Sequence, residues 1–169
     1  LDPPDGATFP AVMIGEPADR WLLACDGGQG FVARLETLYA RNRAGKAVFN
    51  LPDNARMLPA CPVPAAEGAL VCAVNSEGRL LAFPVSDLPE MEKGRGNLIF
   101  GIPGKKAKAR AELMTAVAVV GEGGKLAVLC GDRRMTLSFK DLDAYRGERG
   151  QRGAVLPRGW RKVDRLEAE

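Results

Sequence analysis

The chain has 169 residues, 46% of them hydrophobic and 27% charged, with a formal net charge of +3. That length supports one sizeable core rather than two, and that balance excludes wholesale disorder. Histidine is absent, which removes the usual general base and the commonest metal ligand, and no apolar run approaches the ~20 residues a membrane-crossing helix needs.

Twenty glycines and twelve prolines point to many short strands joined by turns. In chain order, Phe9 to Ile14 reads as a first strand, closed by the turn Gly15-Glu16-Pro17. Trp21 to Cys25 and Phe31 to Leu35 form a hairpin around Asp26-Gly27-Gly28. Leu35 to Leu38 then leads to a basic glycine turn, and Ala47 to Leu51 is a further short strand before Pro52. A second hairpin pairs Leu70 to Val74 with Leu80 to Phe83 around Asn75-Ser76-Glu77-Gly78, and Ser86-Asp87-Leu88 follows it. In Leu70 to Val74 both parities are apolar, so both faces of that strand are expected to be covered. Lys105 to Met114 is the one helix-prone stretch. It reads as a long basic loop with a helical turn, because a ten-residue helix with no packed face is marginal. The third hairpin pairs Lys125 to Cys130 with Met135 to Phe139 around Gly131-Asp132-Arg133-Arg134, and Lys140-Asp141-Leu142 follows.

Each hairpin is thus followed by a glycine knot carrying Lys or Arg: Arg43 to Val48, Gly94 to Ile99, and Gln151 to Leu156. The marker glycines, Gly45, Gly96 and Gly153, are 51 and 57 residues apart. A strand-built repeat of about 50 residues is the period of a bladed, propeller-like array. It divides the chain approximately into blades 1–64, 65–110 and 111–169. Glycine lets the backbone turn sharply and approach a partner closely, and a basic residue beside it neutralises a phosphate.

Charge is unevenly spread. Residues 1–40 carry a net −4 and residues 41–169 a net +7, with +5 in Tyr145 to Val163 alone. That last stretch is expected to be extended, with its arginines exposed. Basic residues recurring at one level of a blade array suggest a surface that follows a polyanion. The candidate DNA contacts are Arg41, Arg43, Lys46, Lys93, Arg95, Lys105, Lys106, Arg149, Arg152, Arg158 and Arg161. With no base-reading helix or zinc module in view, contacts should be mostly to the backbone.

Catalysis finds little support. No Ser or Cys has a histidine partner, and there is no nucleotide-cradling loop. Cys25, Cys61, Cys72 and Cys130 have no metal-knuckle or redox spacing. Cys25 and Cys130 fall at the same strand position and read as small buried hydrophobes. Asp141 and Asp143 could pair as acids, but solvation at a strand end is the plainer explanation. Tyr39 and Tyr145 sit beside Arg41 and Arg146 and are expected to pack on a blade edge with the hydroxyl at the surface.

Several segments resemble the C-terminal DNA-binding domain of bacterial type IIA topoisomerases, the topoisomerase IV branch above all. They are Leu1-Asp2-Pro3 with Asp5 to Phe9, Ala40 to Ala47, Gly78 to Pro89, Lys93 to Asn97, and Gly147 to Gly153. The resemblance implies an all-β pinwheel, a propeller-like disc whose blades exchange strands. About three four-stranded blades would lie here, part of a larger pinwheel in a longer polypeptide that does not begin at Leu1. It further implies a non-catalytic module that holds and bends double-stranded DNA along a basic rim during strand passage, decatenation, supercoil relaxation and chromosome segregation.

The same resemblance places ATP, magnesium and the cleaving tyrosine in other parts of the parent enzyme, with no cofactor or metal here. Implied partners are the rest of the A subunit, together with the ATPase B subunit of a heterotetramer, in the cytoplasm and at the nucleoid, with no membrane. Gyrase carries a Gln-Arg-Arg-Gly-Gly-Lys-Gly box in its first blade. Here Gln151-Arg152-Gly153 is the nearest remnant, which favours decatenation and relaxation over active supercoiling. The rival reading is a propeller-like scaffold that binds protein through the acidic residues 1–40.

Overall fold

The computed structural model describes Gly6, Phe9 and residues 11–169. In chain order its elements are β1 (Arg20–Ala24), β2 (Gln29–Arg34), β3 (Cys61–Val63), β4 (Leu70–Asn75), β5 (Arg79–Pro84), β6 (Asn97–Leu98), α1 (Gly104–Lys108), β7 (Met114–Val120), β8 (Lys125–Cys130), β9 (Arg133–Ser138), β10 (Ala154–Val155) and β11 (Arg165–Ala168). Short 3-10 turns at Leu35–Leu38, Val85–Asp87 and Asp141–Tyr145 follow the three hairpins at equivalent places.

The hairpins form where turn chemistry meets strand propensity. Gly78, at φ +74°, closes the second, and the Asn75 side-chain carbonyl accepts the Arg79 N–H at 2.9 Å. In the third, Cys130 pairs with Arg133. Its turn is therefore only Gly131-Asp132, and Arg133 and Arg134 lie on β9 rather than in the turn expected from sequence.

Three antiparallel sheets result, in strand orders β3-β1-β2-β6, β10-β5-β4-β7 and β11-β8-β9. Among the described residues the first two have the expected four strands and the third has three. In each of the first two, the outermost strand is donated by the knot that follows the next hairpin in sequence. Asn97 pairs with Gly30, and Ala154 pairs with Leu80. Among the described residues, β9 pairs with β8 alone. Its side chains are correspondingly more exposed than those of β2 and β5.

Strand alternation builds the core. Leu22, Ala24 and Val32 face one way and pack with Val71, Ala73, Leu81 and Phe83 of the second sheet. The other parity of that sheet (Leu70, Cys72, Val74, Leu80 and Ala82) packs with Leu126, Val128 and Leu142. All six residues of β4 are buried, as its two-sided apolar pattern requires. Strands β3, β7 and β11 converge at the hub and line an apolar cavity of about 390 Å³.

Three local expectations change. Phe9 and residues 11–14 form no strand and pair with no other described residue, and Phe9, Val12 and Ile14 are exposed. The rest of that expected strand, and the Leu1-Asp2-Pro3 and Asp5 motifs, lie outside the described residues. Ala47 to Leu51 contributes only an isolated parallel bridge between Phe49 and Gly94. The basic loop does hold one short helix, α1, but Met114 begins the buried strand β7.

Candidate nucleic-acid interface

Two of the three knots are seated on a hairpin. Gly96 and Gly153 lie in the left-handed region, at φ +75° and +65°. A Cβ added to Gly96 would fall 2.1 Å from the Gly30 carbonyl oxygen, and one added to Gly153 would fall 2.3 Å from that of Leu80. Only glycine fits such a backbone-on-backbone approach. Gly45 has the same conformation, φ +83°, yet no described residue lies within 4 Å of where its Cβ would be.

The knots are also tied to one another. Gly94 N–H donates to Val48 C=O at 3.0 Å, and Asn50 N–H donates to Gly94 C=O at 2.8 Å. One step along, Gly150 N–H donates to Ile99 C=O and Gly101 N–H to Gln151 C=O, each at 2.9 Å. The arginine before each seated glycine spans the same junction. Arg95 Nε reaches the Asn50 carbonyl at 3.4 Å, and Arg152 Nη1 reaches the Gly101 carbonyl at 3.5 Å. The knots therefore form one continuous hydrogen-bonded rim.

Along this rim Arg41, Arg43, Lys46, Lys93 and Arg95 are exposed, and Lys46 Nζ donates to the Thr37 carbonyl at 2.7 Å. Lys105 is exposed on α1, and Arg158 and Arg161 are exposed beyond β10. The Arg161 backbone lies where a Cβ on Gly78 would be 2.5 Å away, so this stretch is packed down rather than loose. Leu156 and Val163 within it are buried.

Arg149 and Arg152, expected to be free at the surface, are bonded internally. Arg149 Nη1 donates to the Leu98 carbonyl at 2.7 Å. Arg152 Nη2 meets Glu77 Oε2 at 2.8 Å and Glu112 Oε1 at 2.7 Å, while Lys106 Nζ meets Glu77 Oε1 and Glu112 Oε2, each at 3.0 Å. Two cations and two carboxylates alternate around this quartet. Glu112 is fully buried and also accepts from Asn75 Nδ2 at 2.9 Å. Burial works to raise the Glu112 carboxyl, but the hydrogen bonds from Lys106, Asn75 and Arg152 prevail and hold it below the usual carboxylate range.

Sequence pattern singles out Lys106 and Arg152 but not the two acids between them. A lone acid inside the basic loop 105–114 is the available signal for Glu112. Arg110 is likewise absent from the expected contacts. It spans from Asp26 Oδ2, at 2.9 Å, to the Asn54 carbonyl, at 2.6 Å, and so ties the basic loop to the first hairpin turn. Arg133 lies over the Trp160 ring, 5.0 Å from its centroid.

The groups with catalytic potential are otherwise engaged. Asp141 accepts from Ser138 N–H and Oγ at 2.8 and 2.7 Å, and Asp143 pairs with Arg146 at 3.4 Å, so each acid has its own partner. Tyr145 packs half-buried against the second core cluster, whereas Tyr39 is exposed. Cys25, Cys72 and Cys130 are buried free thiols, as expected for Cys25 and Cys130. Burial pushes Cys61 up to about 11 and Cys72 up to about 12. Among the described residues, no cluster of Cys, Asp and Glu could hold a metal.

No family model matches the chain. Over 98% of its length it is 45% identical to the A subunit of DNA topoisomerase 4 from Pseudomonas aeruginosa, of which it covers 22%. To the protein of the same name from Escherichia coli K12 it is 38% identical over 98% of its length, again covering 22% of that relative. The chain thus spans about a fifth of the length of these curated relatives. Its fold matches the E. coli ParC C-terminal domain with a TM-score of 0.82 at 36% identity, over 93% of this chain and 63% of that one. It matches the DNA gyrase A C-terminal domain with a TM-score of 0.69 over 91% of this chain and 50% of that one. At 17% identity the latter shows the fold alone.

Proposed function

As a relative of the A subunits of topoisomerase IV that carries the β-pinwheel fold of their C-terminal domain, the chain, we propose, holds double-stranded DNA along its rim of glycine knots. The observation that supports this best is the continuity of that rim. Hydrogen bonds join each knot to the next, and Arg41, Arg43, Lys46, Lys93 and Arg95 are ranged along it. Such a surface neutralises successive phosphates and releases their condensed counterions without reading sequence.

In the longer protein, the module would steer a duplex segment into the strand passage performed elsewhere with ATP and magnesium, in company with the B subunit plus the rest of the A subunit. Arg152, in the nearest remnant of the gyrase box, is tied to two carboxylates. That favours local holding and bending, for decatenation and relaxation, over extensive wrapping.

A salt titration tests the reading. Binding of the chain to duplex DNA should weaken linearly in log[salt], with a slope of about −0.9 per contacted phosphate, and unrelated sequences should bind alike. Salt-insensitive binding, or a preference for an acidic polypeptide over DNA, would overturn it in favour of a protein scaffold. Loss of decatenation by the longer protein when this segment is removed would test its part in strand passage.

A further inference from the structure

The third knot differs from the second in one respect that bears on where a polyanion can settle. Arg95 and Arg152 occupy the same register, one residue before the seated glycine, and each reaches back across the junction to the preceding knot. No carboxylate lies within ion-pair distance of Arg95 among the described residues. Arg152 is held by two, and these same two carboxylates hold Lys106.

The two acids are not equivalent. Glu112 is fully buried, and its two oxygens are held by Asn75, Lys106 and Arg152, so it is fixed in place. The Glu77 side chain is 42% exposed, sits in the tight turn between β4 and β5, and touches the quartet only through Lys106 and Arg152. Exposed pairs of this kind contribute little and are readily exchanged. Glu77 thus presents two oxygens to a lysine and an arginine from the solvent side, which is what a phosphodiester would do there.

We propose that Lys106 and Arg152 form a phosphate subsite that Glu77 keeps occupied until a nucleic-acid backbone displaces it. The inference rests on the rim reading given above. With Glu77 in place the quartet is neutral; with Glu77 swung out it carries one net positive charge, held in place by Glu112. A duplex engages Arg95 without displacing a carboxylate, and reaches the third knot only by competing with the protein's own. Glu77 thereby sets how far along the rim the duplex is bound.

The test is duplex DNA binding by fluorescence anisotropy across a KCl series, using the whole chain. E77Q should bind more tightly at low salt and steepen the slope by about 0.9, the contribution of one added phosphate contact. E122Q makes the same change in net charge at the opposite end of the second sheet, beyond β7, and should leave the slope unchanged. In E77Q/K106Q the remaining Arg152–Glu112 pair is again neutral, and the slope should return to that of the parent chain. Thermal melts establish that each variant is folded. Equal slopes for the parent chain and E77Q, or an equal effect of E122Q, overturn this inference and leave the rim reading standing. Absence of DNA binding by the parent chain and E77Q alike overturns the rim reading and this inference with it.

Discussion

Gly96 lies so close against Gly30 that the second knot and the first hairpin meet backbone to backbone. A side chain on Gly96 would begin 2.1 Å from the Gly30 carbonyl oxygen. Gly153 against Leu80 repeats the arrangement, and at both sites the residue after the glycine opens the outermost strand by pairing with the second strand of the hairpin. The glycine is what allows a passing loop to become the fourth strand of a sheet.

Gly96→Ala and Gly45→Ala should therefore differ sharply in cost. Both place a Cβ in the left-handed region, which costs about 1–2 kcal/mol. At Gly45 no described residue adds to that penalty. At Gly96 the backbone of β2 must also yield, so its urea midpoint should fall well below that of Gly45→Ala. Equal midpoints would show that the second knot is not rigidly seated.

Arg158→Gln with Arg161→Gln removes two exposed charges. If both meet phosphates, the salt slope of DNA binding should become shallower by about 1.8, roughly 0.9 for each. Stability should barely change, because exposed arginines contribute little. An unchanged slope would move the duplex onto the first two knots.

Acid should weaken the fold through Glu112. Its folded pKa lies below the ordinary 4.5, so its stabilisation is present above that pH and is lost as pH falls through the depressed folded value. Glu112→Gln should lower stability at neutral pH by about 1–3 kcal/mol, as expected for losing charge-assisted hydrogen bonds at a buried site. It should also flatten the stability-versus-pH curve below about pH 4.5. Urea melts from pH 7 to pH 3 would show both effects, and parallel curves for the two proteins would contradict them.

Thiol labelling should be slow in the native chain. With Cys61 raised to about 11 and Cys72 to about 12, the thiolate fraction of Cys61 at pH 8 is roughly one in a thousand, and the thiolate is the reactive form. All four cysteines should become fast in denaturant. Rapid native labelling of Cys61 would show that the hub opens readily.

The hairpins are legible from sequence because their causes are local. Asp26-Gly27-Gly28 and Asn75 to Gly78 are turn signals flanked by strand formers, and the knots repeat with visible spacing. The basic residues of the rim follow from the same register. What stays hidden depends on distance along the chain. Arg152 and Glu77 are 75 residues apart, so no window of sequence shows that one neutralises the other. The same holds for strand donation, where Asn97 completes a sheet begun at Arg20. Strand β7 is masked because Met114 abuts a helix-prone basic loop, and the short strands β3 and β11 carry too few residues for an alternating pattern. Phe9 to Ile14 fails in the opposite sense. It is apolar enough for a strand, but among the described residues it pairs with nothing.

Borrowed outer strands give the array a direction in time as well as in space. The edge of the first hairpin stays open until Asn97 exists, and that of the second until Ala154 does. During synthesis each sheet is therefore completed only after the next hairpin has emerged, and folding from the N-terminal end proceeds with one unsealed edge always in front. An open edge is a template for mispairing. On β9, the strand left in that position among the described residues, the edge carries Arg133 and Arg134. Arg134 is bound to Glu167 and Glu169 on the far side of the sheet. Among the described residues this is the hairpin that no later strand covers, and its outer strand opens with two charged residues.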